Sequence, residues 1–346
     1  MGNAMTFLHN AWYMAGWASE VGEAGLARRI IDRPFFFYRL ASGHINAVLD
    51  RCPHRFAPLS KGARDGDRLV CGYHGLTFDA QGRCVHNPFA DGIPAGAEIP
   101  TFRVEERHGI VWLWAGDAVA ADADLIPDFS FIPDTGHSRT VRGYTLMHAN
   151  YEYGTDNLLD LSHIEFVHKG TFAGQGVIFA GQHTTDVQGD TLHSNWWMPG
   201  IAPPSVAAGV FPPDAKVDHW LDMRWTAPAT MRLNIGVAPH GAGREAGFEV
   251  PQAHILTPAD EHTTHYFWSS TRFNDLDSPE VDAMLLALFG EAFDLEDKPM
   301  IEAAYDNVRG KDFWKEKPLS LGIDQAGARA RRMLEKMKSQ ERAAAD

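Results

Sequence analysis

Four side chains in the first quarter of the chain have the types and spacing to hold a metal group: Cys52-Pro-His54, sixteen residues, then Cys71-Gly-Tyr73-His74. Two thiolates and two imidazoles on two loops admit two readings. Zinc takes such a set tetrahedrally, but zinc pairs usually come as two cysteines followed by two histidines. Here each pair mixes one Cys with one His. That mixture suits a two-iron, two-sulfur cluster with both cysteines on one iron and both histidines on the other.

A second constellation lies in Asn157-Leu-Leu-Asp160-Leu-Ser-His163-Ile-Glu-Phe-Val-His168. Five residues turn an ideal helix through about 140°, so His163 and His168 share a face only if the helix ends or bulges between them. Asp160, three residues before His163, lies on the same helical face, where its carboxylate can orient a histidine ligand. The His-Glu-x-x-His pattern of zinc proteases is absent. A third ligand comes from far away. Asp297, Met300, Ile301 and Ala304 follow a helical stripe, which puts Asp297 where apolar residues face a core. A buried carboxylate without compensation is costly and asks for a metal or a strong donor. A capping role is the bland alternative, and Glu291 and Glu296 are rival acids.

The flanking residues decide the first site. Cys52-Pro-His54-Arg55 and Cys71-Gly-Tyr73-His74-Gly75 with Phe78 resemble the Rieske signature. Respiratory-type Rieske proteins add a cysteine after each pair, whereas Phe56 and Tyr73 stand in those neighbourhoods here. A disulfide-free site suits a reducing compartment and resembles the oxygenase and ferredoxin kind. Cys84 lies outside the motif and reads as a small buried hydrophobe. The second string resembles the Asp-x2-His-x4-His segment of Rieske oxygenases, where two histidines and a later carboxylate hold iron(II).

With Ala11-Trp12-Tyr13-Met14-Ala15 as an opening strand and Leu295-Glu-Asp297-Lys-Pro as the late acidic motif, the resemblance spans nearly the whole chain. It is similar to the vanillate and dicamba O-demethylase group of Rieske non-heme iron oxygenases. The resemblance implies a [2Fe-2S] cluster on Cys52, His54, Cys71 and His74, and mononuclear Fe(II) on His163, His168 and Asp297. It places Asn157 near that iron and makes Asp160 a link between a cluster histidine of one subunit and an iron-binding histidine of its neighbour, in a homotrimer. The resemblance also implies electrons from NAD(P)H through a separate reductase or ferredoxin. Asn234 and His254 match positions that hold an aromatic carboxylate, while Leu288 departs from an aromatic found in some relatives. The implied reaction is O2-dependent demethylation of a methoxylated aromatic acid. A ring dihydroxylase, or an electron carrier with a ligand-binding domain, are the alternatives.

The elements that position these residues follow from periodicity. Short β-rich runs at 35–38, 45–49, 69–71 and 110–114 read as a small antiparallel domain, and the Ala- and Asp-rich stretch 116–124 as a boundary. A helical signal at 157–168 precedes alternating runs at 191–198, 219–225, 231–237 and 265–271. Val281, Met284, Leu285, Leu288, Phe289 and Ala292 fall at helical spacing, 202–213 reads as a loop, and the tail after Asp324 as a charged amphipathic helix. The expected fold is α+β. An antiparallel Rieske domain occupies 1–118, and a catalytic domain with a twisted antiparallel sheet flanked by helices, of the helix-grip type, occupies 119–346.

At 346 residues, 45% of them hydrophobic, the chain can bury a core in each. A net charge of −14 repels nucleic acid and anionic membrane. No apolar run is long enough to span a bilayer and no signal peptide is visible, so a cytoplasmic location is expected. Met1, Gly2 and Thr6 meet the loose pattern for N-myristoylation, for which an extra start before Met5 is the simpler account.

Overall fold

The structure, a computed structural model, describes residues 6–172 and 176–345. The N-terminal Met1-Gly2 pattern lies outside them. The chain divides into two compact units. One runs to Ile126 and includes Thr257–Glu261 and the residues from Glu341; the other holds Pro127–Leu256 and His262–Gln340.

The first unit is mainly β. Trp12–Trp17 pairs with Ile110–Trp114, a fully buried pair of strands whose Trp12 and Trp114 rings meet edge to face at 5.4 Å. A four-stranded sheet joins Leu26–Ile30, Arg33–Arg39, Ile45–Leu49 and Thr101–Phe102. A second four-stranded sheet joins Ala63–Asp65, Arg68–Val70, Thr77–Phe78 and Cys84–His86. Between the two four-stranded sheets Phe36, Tyr38, Val48, Leu69, Phe78 and Ile99 form a core that also takes in Cys52, Cys71 and Cys84. The stretch 116–124 folds into two single turns capped by Asp117 and Asp122.

The second unit is built on a seven-stranded sheet in the order Arg139–Met147, Thr263–Arg272, Phe248–Asp260, Thr230–Pro239, Val217–Thr226, Thr191–Ile201, Gln182–Gln188. The strands are longer than the alternation alone predicts, because hairpin partners extend pairing beyond the last alternating residue. Gly236 lets the Trp220 ring lie where a Cβ would stand, 1.8 Å from that position. Helix α1 (Tyr151–Leu159) ends at Asp160, and a single turn, Leu161–His163, leads into the short α2 (Ile164–Val167). Helix α3 (Pro279–Gly290) begins at the Ser278 cap. Of the expected apolar stripe Phe289 and Ala292 are buried, Val281, Leu285 and Leu288 are half-buried and Met284 is exposed, so the stripe sinks into the core only toward the end of the helix.

A π-helical segment, Glu291–Asp297, then joins α3 to α4 (Lys298–Asp306). Pro299 lacks an N–H and its ring would crowd the carbonyl of Leu295, so the α ladder cannot run through it, and widening the preceding turn relieves the clash. The buried face of α4 is Asp297, Ile301 and Tyr305, while Met300 is exposed, one step round from the expected stripe. Helix α5 (Gln325–Ala345) closes the unit, burying Ala326, Ala330 and Leu334 at four-residue spacing. Among the described residues no helix is long and apolar enough to cross a membrane.

Candidate metal centres and active site

The two loops of the first unit that carry the candidate ligands close in the same way. Cys52 N–H donates to Ala57 O and Phe56 N–H to Cys52 O, each at 2.9 Å; Cys71 N–H donates to Leu76 O and Gly75 N–H to Cys71 O, each at 2.9 Å. In both, the fourth residue after the cysteine has positive φ, 62° at Phe56 and 72° at Gly75. Gly75 takes this conformation without a Cβ penalty, whereas Phe56 carries a strain of about 1–2 kcal/mol.

These turns set the two thiols beside each other and the two imidazoles beside each other. Cys52 and Cys71 are both buried and unpaired by disulfides. The His54 and His74 rings stand 4.4 Å apart. Burial pushes the Cys52 thiol up and the neighbouring Cys71 thiol adds to this, while the backbone N–H groups of His54 and Arg55 favour the thiolate. His74 is held below the usual histidine range by desolvation and by His54 and Arg55 beside it, so it presents a neutral imidazole. Its Nδ1 is buried with no hydrogen-bond partner. A buried ring nitrogen without a partner, two adjacent thiols and amides aimed at sulfur are what a two-iron, two-sulfur group would satisfy. Cys84 packs in the core with its Sγ 3.4 Å from His86 O and points to no such site.

In the second unit His163 and His168 approach because the helix breaks between α1 and α2. His168 is the C-cap of α2, at φ −92° and ψ 39°, and the two rings come to 5.2 Å. Asp297, at the end of the π segment, meets both: Oδ1 lies 3.4 Å from His163 Nε2 and Oδ2 lies 3.3 Å from His168 Nε2. One donor atom from each residue falls within 4.8 Å of the other two. Asp297 caps no helix with its side chain. Burial alone would raise its carboxyl, yet the hydrogen bonds from His163 and His168 hold it well below the usual carboxylate range. Two imidazoles and one carboxylate form the facial donor set of non-heme iron(II), which leaves positions for dioxygen.

The groups around this triad differ in part from expectation. Asn157 donates to Asp297 Oδ1 at 3.2 Å. Asp160 reaches His163 with its backbone carbonyl, which meets Nδ1, and its carboxylate instead accepts from Ser162 N at 3.0 Å. The reason is the tight turn: residue i of a 3-10 turn lies over residue i+3, so the carbonyl arrives before the side chain can. Glu296 accepts from His168 Nδ1 at 2.8 Å and Thr171 Oγ1 at 2.6 Å. A carboxylate behind a ligating histidine fixes its tautomer and strengthens it as a donor. The wide π turn lets Glu296 and Asp297, adjacent in sequence, serve the same histidine from both ring nitrogens.

The triad opens into a cavity walled by Leu158, Met198, Leu221, Leu233, Ile235 and Phe293, among others. Asn234 does not line it. Along Thr230–Pro239 the cavity takes Leu233 and Ile235, and strand alternation turns Asn234 to the opposite face, where it meets Arg232 and Glu249. Leu288 is likewise absent from the wall, and Phe289 stands there. His254 does line it, fully buried, with Nδ1 at 2.7 Å from Tyr266 Oη and Nε2 at 3.2 Å from Gln252 Oε1. Gln252, His219 and the loop residues Pro204, Ser205 and Val206 also line it, none of which periodicity singled out.

Desolvation lowers the His254 pKa to about 4. Between that value and the unfolded histidine value of about 6.5, the unfolded chain binds the extra proton and the folded chain does not, so stability falls with pH across this window. The cost below pH 4 reaches about 3 kcal/mol. Melting temperature against pH should therefore drop from pH 6.5 to 4 in the native protein and drop less in His254→Asn; parallel curves would contradict the assignment.

The model of the Vanillate O-demethylase oxygenase C-terminal domain matches residues 147–340, and that of the Rieske [2Fe-2S] domain matches residues 11–103. The chain belongs to the Rieske non-heme iron oxygenases of the vanillate O-demethylase type. Among these Rieske oxygenases, the dicamba O-demethylase oxygenase component of Stenotrophomonas maltophilia is 39% identical over 98% of this chain and 100% of its own. The chloroacetanilide N-alkylformylase oxygenase component of Rhizorhabdus wittichii is 37% identical over 95% of each. The crystal structure of dicamba monooxygenase bound to dicamba superposes with a TM-score of 0.89 at 38% identity, covering 97% of this chain and 99% of that one. As a member of this family the protein is an oxidoreductase, the oxygenase component of a multicomponent system.

Proposed function

We propose that this Rieske oxygenase removes the methyl group of a methoxylated aromatic acid oxidatively. The balance is ArOCH3 + O2 + 2 e− + 2 H+ → ArOH + HCHO + H2O. The observation that carries this reading is the buried His163, His168 and Asp297 donor set opening into an apolar cavity, in a family whose relatives include O-demethylases. Cys52, His54, Cys71 and His74 are assigned to a [2Fe-2S] cluster, within a domain 1–118. The His163, His168 and Asp297 triad is assigned to iron(II), within a domain 119–346. When bound, the cluster and the iron together supply the electrons that activate dioxygen.

The rest falls to the side chains. Asn157 holds Asp297 Oδ1, and Glu296 holds His168 by its outer nitrogen. His254, kept neutral, offers an Nε2–H shared with Gln252 to an acid group on the ring. The apolar walls turn the methyl group inward and exclude water, and the hydroxylated methyl, a hemiacetal, collapses to phenol and formaldehyde. Three cysteines without a disulfide support a cytoplasmic setting with a separate NAD(P)H-dependent reductase or ferredoxin. A homotrimer in which Asp160 meets a cluster histidine of the neighbouring subunit completes the reading, and light scattering at the mass of one chain would remove that part.

The test is oxygen uptake by the iron-loaded protein with a reductase, NADH and a panel of methoxylated benzoates. About one formaldehyde per O2 is expected from the balance. A cis-diol without formaldehyde would move the protein to ring dihydroxylation.

A further inference from the structure

The cavity is polar at two ends and apolar between them. Near the triad stand His254 and Gln252; at the other end stands His219. Cross-strand register sets how far apart these ends are. His254 pairs with Met231, and His219 pairs with Val237, six residues farther along the same strand. At about 3.4 Å per residue this is roughly 20 Å along the strand direction, less the shortening of a twisted sheet. Between them the wall is Leu233, Ile235 and Leu221.

His219 is buried, and its Nδ1 lies 2.8 Å from Gly236 O. A carbonyl only accepts, so Nδ1 carries the proton and Nε2 carries a lone pair. Burial lowers the basicity of this ring, which keeps it neutral. No residue described within the protein pairs with Nε2. Held in one tautomer in the wall of the cavity, this acceptor faces the cavity and is available to a donor brought by a ligand. No lysine or arginine is among the residues lining the cavity, so recognition at this end rests on a neutral hydrogen bond.

We infer that His219 is a distal specificity residue whose Nε2 accepts a hydrogen bond from an N–H or O–H group on the substrate, remote from the methyl group that is oxidised. Among methoxylated aromatics the enzyme then favours extended molecules with an apolar body and a donor at the far end. The inference rests on the O-demethylase reading above for its choice of substrate core, while the binding contact is independent of the chemistry.

The experiment compares two probes without an acid group, 4′-hydroxy-4-methoxystilbene and 4-methoxystilbene, on the iron-loaded protein by tryptophan-fluorescence titration. One neutral buried hydrogen bond should make the hydroxylated probe roughly 5–10-fold tighter. In His219→Leu the ratio of the two dissociation constants should fall to about one, and His219→Gln, which keeps an acceptor, should restore part of it. A purely structural role would weaken both probes alike and leave the ratio intact. Equal binding in the native protein, a preserved ratio in His219→Leu, or no binding of either probe overturns the inference. A hydroxyl preference lost in His219→Leu without formaldehyde from either probe would uphold the distal contact and reject demethylation.

Discussion

Asp297→Ala is expected to abolish both mononuclear iron binding and turnover while leaving the visible spectrum of the cluster unchanged. Among the described residues the Asp297 carboxylate alone touches both imidazoles of the triad, at 3.4 Å from His163 Nε2 and 3.3 Å from His168 Nε2. Without it two neutral nitrogens remain, too few to hold a weakly bound divalent ion against water. Glu296 cannot replace it, since its oxygens already serve His168 Nδ1, Thr171 and Gly170. Iron should fall from about three to about two per chain with sulfide steady at about two, as one cluster without a mononuclear ion requires. Glu296→Gln provides the contrast. It removes only the partner behind His168, and such losses cost roughly 10–100-fold in metal affinity or activity. A third iron retained in Asp297→Ala would show that the assigned ligand is wrong.

Arg331→Ala is expected to destabilise the second unit by about 3 kcal/mol, which for a unit of this size lowers the melting temperature by roughly 10 °C. Arg331 on α5 is 7% exposed. Its guanidinium grips Asp156 with Nε at 2.9 Å and Nη2 at 2.7 Å, and Glu152 with Nη1 at 2.8 Å. The ring of Phe313 lies 4.0 Å beneath it. Truncation strands the two carboxylates of α1 beside each other, with Lys338 left to hold Glu152. Asp156 precedes Asn157, so looser anchoring of α1 should also reduce iron retention. Arg331→Lys keeps the charge but loses the planar fork, and should fall between the two. A melting temperature within 2 °C or so of the native protein would contradict this account.

What could be read from the chain and what could not divides along a physical line. Cys52, His54, Cys71 and His74 were legible as a candidate ligand set because each pair sits in one short loop, where spacing in the chain is the geometry itself. His163 and His168 were legible as a pair together with the condition they imposed, a helix broken between them, and α1, the single turn and α2 meet it. Asp297 was recognisable as a carboxylate out of place in an apolar stripe, but the stripe itself ran through Ile301 and Tyr305. Pro299 could have announced the π segment, since it interrupts the ladder four residues after Leu295.

The substrate end was the less legible. Asn234 was one residue out, and in a strand one residue is the difference between two faces. Glu296, Gln252 and His219 carry no local pattern that separates them from other polar residues on helices and strands. They matter because a helix 128 residues away delivers a carboxylate to His168, and because adjacent strands set side by side what the chain holds apart. The sequence by itself therefore determined the metal chemistry and the α+β class, since ligand spacing and periodicity are local. Only the tertiary structure decided which side chains stand behind the ligands and which face the cavity, because register and helix phase are settled by packing across the whole unit.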